Sequence, residues 1–257
     1  FNLEGVYMKK LLSSFLLCCS MTLMAITNEE VSVKAYTATG NYVSELAELE
    51  MILKNANGTT NKRDLIMKKL EGKDGDKTLL EFRSPADVKG TKLLTHERLG
   101  KPDKQWLYLP GLKRTKRIVS KNKSGAFMGS EFSYEDLSGQ HYNRFAYSGN
   151  AQKVDLNGVK VYKSVRIPKE DYSGYSKEII WVEPKNFLIQ RIDYFDKRGN
   201  FLKTALMPSY TNIKGIWRVS KIIMKNVQTK KETTLNWKSE KIKVGLKKRD
   251  FSQSIFL

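Results

Sequence analysis

Two histidines, His96 and His141, are the first residues to test for chemistry, and neither stands in a metal-ligand spacing such as His-Glu-x-x-His. Both read as polar loop residues, and no metal site is implied. Ser130 lies in Gly129-Ser130-Glu131-Phe132-Ser133, which is not Gly-x-Ser-x-Gly, so no nucleophile elbow is encoded. A Ser130–His141 pair remains as a hydrolase alternative to a turn serine ahead of a short helix. Glu135 and Asp136 are adjacent carboxylates, which on a helix point in different directions, and helix-start electrostatics accounts for them without acid/base work. No glycine-rich nucleotide motif occurs, so no cofactor is implied. The dense chemistry is cationic: Lys113, Arg114, Lys116 and Arg117, followed by Lys121 and Lys123. Interleaved with Trp106 and Tyr108, such a run suits a nucleic-acid backbone, anionic headgroups, an acidic partner protein or simply a solvated strand face.

The elements that must position these cations lie within residues 103–139. Trp106-Leu107-Tyr108-Leu109 reads as a strand, Pro110-Gly111 as a turn, and 112–119 as a second strand, which makes a basic hairpin. The glycine-punctuated stretch 124–129 presents Phe127 and Met128, side chains that a solvated loop rarely carries uncovered, so this loop is expected to pack on or over a cavity. Ser133 and Asp136 have the spacing of a capping box, which predicts one short helix there. Leu107 and Leu109 share one strand face and Trp106 and Tyr108 the other; either pair could face a pocket.

Outside this stretch the pattern is mostly of period two. A short helix with an acidic first turn is expected from Asn28 to the stop at Gly40. Strands follow over 44–54, 62–71, 77–83 and 92–98, and beyond the hairpin over 142–148, 159–168, 176–183, 187–196, 201–209, 216–225 and 232–242, most of them separated by turn chemistry such as Asn157-Gly158 and Gly199-Asn200. Many short strands at close spacing predict a mainly antiparallel α+β domain, its sheet curled into a barrel or half-barrel. Ile179-Ile180-Trp181-Val182 is apolar on both sides and needs cover on both faces. A helix laid into the concave side would supply it.

The 257 residues carry 46 Lys+Arg against 27 Asp+Glu, a formal net charge of +19 that favours anionic partners. Met8-Lys9-Lys10, an apolar run and Ala25 read as a secretory signal peptide over residues 8–25, with 1–7 as an upstream extension and 26–257 as a single mature domain. The apolar run is shorter than the roughly 20 residues of a spanning helix. Export argues against nucleic acid as the partner. Both cysteines, Cys18 and Cys19, lie inside the signal, and the small residues usual before an acylated cysteine are missing, so the mature chain has no thiol.

On two motifs the chain resembles the LolA-like, outer-membrane lipoprotein-sorting family, in particular the branch associated with RND exporters of the MMPL kind. They are Gln105-Trp-Leu-Tyr-Leu-Pro-Gly-Leu-Lys-Arg-Thr-Lys-Arg-Ile118 and Ser124-Gly-Ala-Phe-Met-Gly-Ser-Glu-Phe-Ser-Tyr-Glu-Asp-Leu137. Weaker similarity runs through Phe82-Arg-Ser-Pro-Ala-Asp-Val-Lys-Gly90, Ile180-Trp181, Arg191-Ile-Asp-Tyr-Phe-Asp196, Leu202-Lys-Thr204 and Asp250-Phe251. The resemblance implies an incomplete, half-open β-barrel with helices covering an apolar concave face. It also implies a monomeric periplasmic carrier of a Gram-negative bacterium that holds lipid or lipoprotein acyl chains on the way to the outer membrane. An inner-membrane RND/MMPL-type exporter and a transiently met membrane surface are the implied partners. On this reading Leu107, Leu109, Phe127, Met128, Phe132 and Trp181 are the candidates for the pocket and its lid, and Lys113, Arg114, Lys116 and Arg117 for headgroup or partner contact. The rivals are a lipid hydrolase on the same scaffold and a non-carrying adaptor of an exporter.

Overall fold

Alternation along the chain becomes strands, and every strand pairing is antiparallel. The computed structural model describes residues 25–256; the upstream extension, Cys18, Cys19 and the rest of the predicted signal segment up to residue 24 lie outside them. Helix α1 (Asn28–Ala38) precedes β1 (Ser44–Lys54), β2 (Thr60–Leu70), β3 (Lys77–Ser84), β4 (Lys92–His96), β5 (Lys104–Leu109) and β6 (Arg114–Ile118). After a long loop come β7 (Phe145–Ala146), β8 (Gln152–Leu156), β9 (Val159–Pro168), β10 (Tyr175–Val182), β11 (Ile189–Asp196), β12 (Phe201–Ile213), β13 (Ile216–Asn226) and β14 (Glu232–Ile242).

The strands form one sheet in the order β6-β5-β4-β3-β2-β1-β14-β13-β12-β11-β10-β9-β7, with β8 also paired to β9. First and last strands therefore meet in the middle, while β6 and β7 end the sheet on opposite sides, so the barrel stays open. Register shifts between β1 and β14, β10 and β11, β11 and β12, and β12 and β13 supply the local bends that curl it. Ala47, Leu49 and Met51 alternate inward along β1 and join Leu65, Phe82, Leu107, Ile180 and Val182 in one concave core. Each of the larger of these side chains, fully buried, contributes about 1.5–3 kcal/mol.

Among the described residues α1 is the one α-helix. Its N-cap is Thr27, one residue before the expected start, in a capping box with Glu30, and Val31 and Ala35 are its core contacts. The helix predicted at Ser133 does not form. Ser133 and Asp136 do make the reciprocal capping contacts, at 2.7 and 3.1 Å, but only a turn follows. The Asp136 carboxylate is also taken by Lys203 and Tyr175, and Gly139 sits where an added Cβ would overlap the Glu97 carboxylate. Tertiary partners fix the turn before a second helical turn can propagate. The expected strand over 142–148 is a 3-10 turn, Tyr142–Arg144, leading into the two residues of β7.

The convex face has a smaller core of its own. Leu79, Leu94 and Trp106 are covered there by Phe251 and Phe256 from the 3-10 turns Lys248–Phe251 and Gln253–Phe256. Tyr108 stacks on Phe256 at 5.7 Å.

Candidate functional site

The two faces of β5 separate the alternatives left open by alternation. Leu107 and Leu109 belong to the concave core, whereas Trp106 and Tyr108 lie with the C-terminal turns on the outside. Phe127, Phe132 and Met128 join Leu107 and Leu109, so five of the six apolar candidates come together. Trp181 does not. It points away from its neighbours Ile180 and Val182, donates its ring N–H to Asp193 at 3.0 Å, and lies between Lys163 and Arg191 on the outer surface. Strand alternation sets it on the face opposite Ile180 and Val182.

Residues 119–139 pass over the concave face as a loop. Phe127 is fully buried, stacked on Phe82 at 5.6 Å and edge-on to Tyr134 at 5.7 Å. Met128 and Gly129 both have positive φ, 49° and 75°, which turns the chain sharply enough to drive Phe127 inward. A loop buried in this way must find partners for its backbone. Arg63 of β2 donates to the Met128 carbonyl at 2.6 Å, Gln105 of β5 to the Tyr134 carbonyl at 2.9 Å, and Lys203 of β12 to the Glu131 carbonyl at 2.9 Å. The Glu131 N–H donates to Thr233 Oγ1 of β14 at 2.9 Å. These latches come from four strands and none could be found by local pattern.

Beneath the loop lies a buried polar layer. Lys203 Nζ stands 2.5 Å from Asp136, both side chains about as buried as the core, and the Tyr175 hydroxyl donates to the other Asp136 oxygen at 2.6 Å. Glu135 accepts from the Ser173 hydroxyl and the Gly174 N–H; burial pushes its carboxyl up to about 7 against those bonds. Lys123 is buried against Asp103 and Glu170, which also hold Arg144. A cavity of about 390 Å³ opens beside this layer, lined by Arg98, Lys101, Glu135, Arg144, Glu170 and Tyr172 among others. Its lining mixes these charged groups with Pro102, Phe145 and Pro168. Half-buried apolar side chains lie elsewhere on the concave core: Tyr162 stacked on Phe187, then Ile189, Tyr210, Ile222 and Trp237.

The four candidate cations stand apart from the core. Lys113, in the left-handed region at φ 46°, and Arg114, Lys116 and Arg117 are all exposed. Cross-strand pairing puts Arg114 and Lys116 on the face of Leu109 and Leu107, and Arg117 on that of Trp106. The remaining groups are occupied. Ser130 is buried with its hydroxyl donating to Phe127 O at 2.7 Å, His141 stacks with Tyr36 and Tyr142, and His96 Nε2 meets Phe251 O at 2.7 Å. Among the described residues no cluster of His, Cys, Asp and Glu could hold a metal ion, and no helix is long and apolar enough to cross a membrane.

Solved structures with the same arrangement exist. An outer membrane lipoprotein-sorting protein domain from Vibrio parahaemolyticus is 38% identical over 89% of this chain and 97% of its own, with a TM-score of 0.85. A DUF1329 family protein from Desulfovibrio piger is 26% identical over 90% and 98%, with a TM-score of 0.83. A LolA superfamily protein from Nitrosomonas europaea shares the fold at a TM-score of 0.71 and 16% identity, over 90% of this chain and all of its own. A family model described as an uncharacterized protein matches residues 74–256. No curated protein matches the chain.

Proposed function

Because this chain belongs to the LolA-like, outer-membrane lipoprotein-sorting family, we propose that it is a periplasmic carrier that holds lipid or lipoprotein acyl chains against its concave apolar face. The observation that carries the reading is the loop over that face: Phe127, Phe132 and Met128 occupy the place an acyl chain would take, and polar latches hold them there. Loading then exchanges one apolar occupant for another. The loop swings out as a lid, its latched carbonyls pass to water, and the chain buries about 0.8 kcal/mol per CH₂ against Leu107, Leu109 and Phe82. No bond is made or broken. The half-buried row from Tyr162 to Trp237 extends the same apolar floor.

In this scheme the protein works as a monomer between an inner-membrane exporter of the RND/MMPL class and the outer membrane. Lys113, Arg114, Lys116 and Arg117 meet charge on the way, on headgroups or on the partner. Native mass spectrometry of protein taken from its own periplasm is the test. Lipid or acylated adducts on the intact chain are the expected result; an empty chain in every preparation, with the exporter present, overturns the carrier and leaves an adaptor.

A further inference from the structure

The sheet has two ends, each with an open edge strand among the described residues, β6 at one and β8 at the other; what is covered is the link between β7 and β8. At the β7/β8 end, the chain entering α1 lies against residues 148–151: Asn28 N donates to Gly149 O at 3.2 Å, Ala151 N to Ile26 O at 2.9 Å, and Asn28 Nδ2 to Ser148 O at 2.7 Å. At the other end β6 pairs with β5 alone, and among the described residues no backbone hydrogen bond outside that pairing involves residues 114–118. The side chains are equally unengaged. Among the described residues none of Lys113, Arg114, Lys116, Arg117 or Lys121 comes within 4.0 Å of a carboxylate, so the charges of this edge are open to a partner. Leu112, 70% exposed, and Val119, 41% exposed, flank the strand.

Charge on an edge strand is selective. Two copies of β6 side by side would set like charges against each other, so the edge rejects its own kind. An edge bearing acids is attracted by the same field. A headgroup layer would meet the cations and leave the outward N–H and C=O groups to water; an added strand satisfies both. Cations on both faces of β6, Arg114 and Lys116 on one and Arg117 on the other, also fit a strand that carries acids on both of its faces.

We propose that β6 is a docking edge to which an extended acidic segment of a partner protein adds as a further strand, its ends covering Leu112 and Val119. The paired part of the occupant is about as long as β6, five residues, and its flanks run on over Leu112 and Val119. This names the chemistry of the partner that the cations meet; it rests on that part of the proposed function and not on lipid carriage.

The probe is a short synthetic peptide, Glu-Glu-Val-Glu-Glu-Val, which sets acids on both faces of an extended strand; it is titrated against the full chain by fluorescence anisotropy and followed by amide hydrogen exchange. Expected are saturable binding that weakens with salt, slowed exchange over residues 114–118, and a loss of about tenfold in affinity in Lys116→Glu or Arg117→Glu. The same peptide N-methylated at every residue should not bind. Equal binding of the N-methylated peptide, or binding that leaves residues 114–118 unprotected, overturns the proposal. So does indifference to the peptide combined with binding to phosphatidylglycerol vesicles, which would make β6 a headgroup surface. Uptake of a fluorescent fatty acid by the unsubstituted protein reads the carrier separately, since it can fail without touching peptide binding and the reverse.

Discussion

Helix α1 and the loop 119–139 both lie on the concave face, yet the helix is capped by its own neighbours in sequence whereas the loop, besides its internal bonds, is latched by side chains of the sheet. Thr27 and Glu30 complete the helix N-terminus between themselves, at 2.7 and 3.1 Å, and Val31 and Ala35 supply the docking. The loop closes bonds within itself, such as Phe127 N to Phe132 O at 2.7 Å and Tyr134 N to Gly125 O at 3.1 Å, and takes four more partners from the sheet, Arg63, Gln105, Lys203 and Thr233. A helix that undocks keeps its internal bonds and exposes two small apolar side chains. A loop that undocks hands its polar groups to water, releases a buried ion pair from desolvation, and bares Phe82 and Leu107. What sets the loop apart is that its latches to the sheet pass to water when it lifts and re-form when it returns, so its opening can be tuned one latch at a time.

The sharpest way to break this contrast is at Lys203. Replacing it by Met keeps the apolar stem and leaves Asp136 buried without its cation, a change that costs about 3–5 kcal/mol. Urea denaturation should show that loss, and the double variant Lys203→Met, Asp136→Asn should recover most of it. Recovery of nothing would mean that the pair does not hold the loop.

A second effect is on pH. Burial raises the Glu135 carboxyl to about 7 from an ordinary 4.5, so the folded state holds a proton that the unfolded chain has already lost across that interval. Stability contributed by this group is full below about 4.5, falls as pH rises towards 7, and is gone above it. The loop should therefore exchange its amides more readily, after correction for intrinsic rates, at pH 8 than at pH 5. Glu135→Gln should flatten that dependence, although Glu97 and Glu240, also raised to about 7, will still tilt global stability. A loop whose exchange ignores pH in the unsubstituted protein would sink this account.

How much of this was visible beforehand follows from the range of each interaction. The strands β1, β9 and β14 are legible because alternation is a local property, and so is α1, because its cap and its acids are neighbours in sequence. β8 escaped notice: Gln152-Lys153-Val154-Asp155-Leu156 is an exposed strand with little apolar content to alternate. The apolar half of the site, Leu107, Leu109, Phe127, Met128 and Phe132, could be picked out as hydrophobic groups in a stretch that has no other reason to carry them. Its polar half could not, since Arg63 and Lys203 lie 65 and 72 residues from the carbonyls they hold. One clue existed for Lys203, an inward-facing lysine between Leu202 and Ala205 in a strand otherwise buried there. Trp181 is legible by alternation alone, which sets it on the face opposite Ile180 and Val182, where its ring N–H meets Asp193.

A milder test of the latch is Arg63→Ala. The Met128 carbonyl loses a charge-assisted donor, a change of about 1.5–3 kcal/mol. Amides of the loop should exchange faster while those of α1 stay as they were, and uptake of a fluorescent fatty acid should quicken. Slower uptake would make Arg63 a cargo contact instead of a latch.

The smallest change is aimed at the other cover. Thr27→Ala removes the side chain that caps α1, at a cost of about 1 kcal/mol. Because that bond is internal to the helix, the expectation is faster exchange confined to the first turn of α1, with loop amides and fatty-acid uptake unchanged. The two covers are tied to different strands: Asn28 straps the helix to β9 through the Val165 N–H at 3.0 Å, and the loop latches lie on β2, β5, β12 and β14, so each should open independently of the other. If loop amides speed up as well, the helix and the loop are one cooperative unit, and cargo entry must move both.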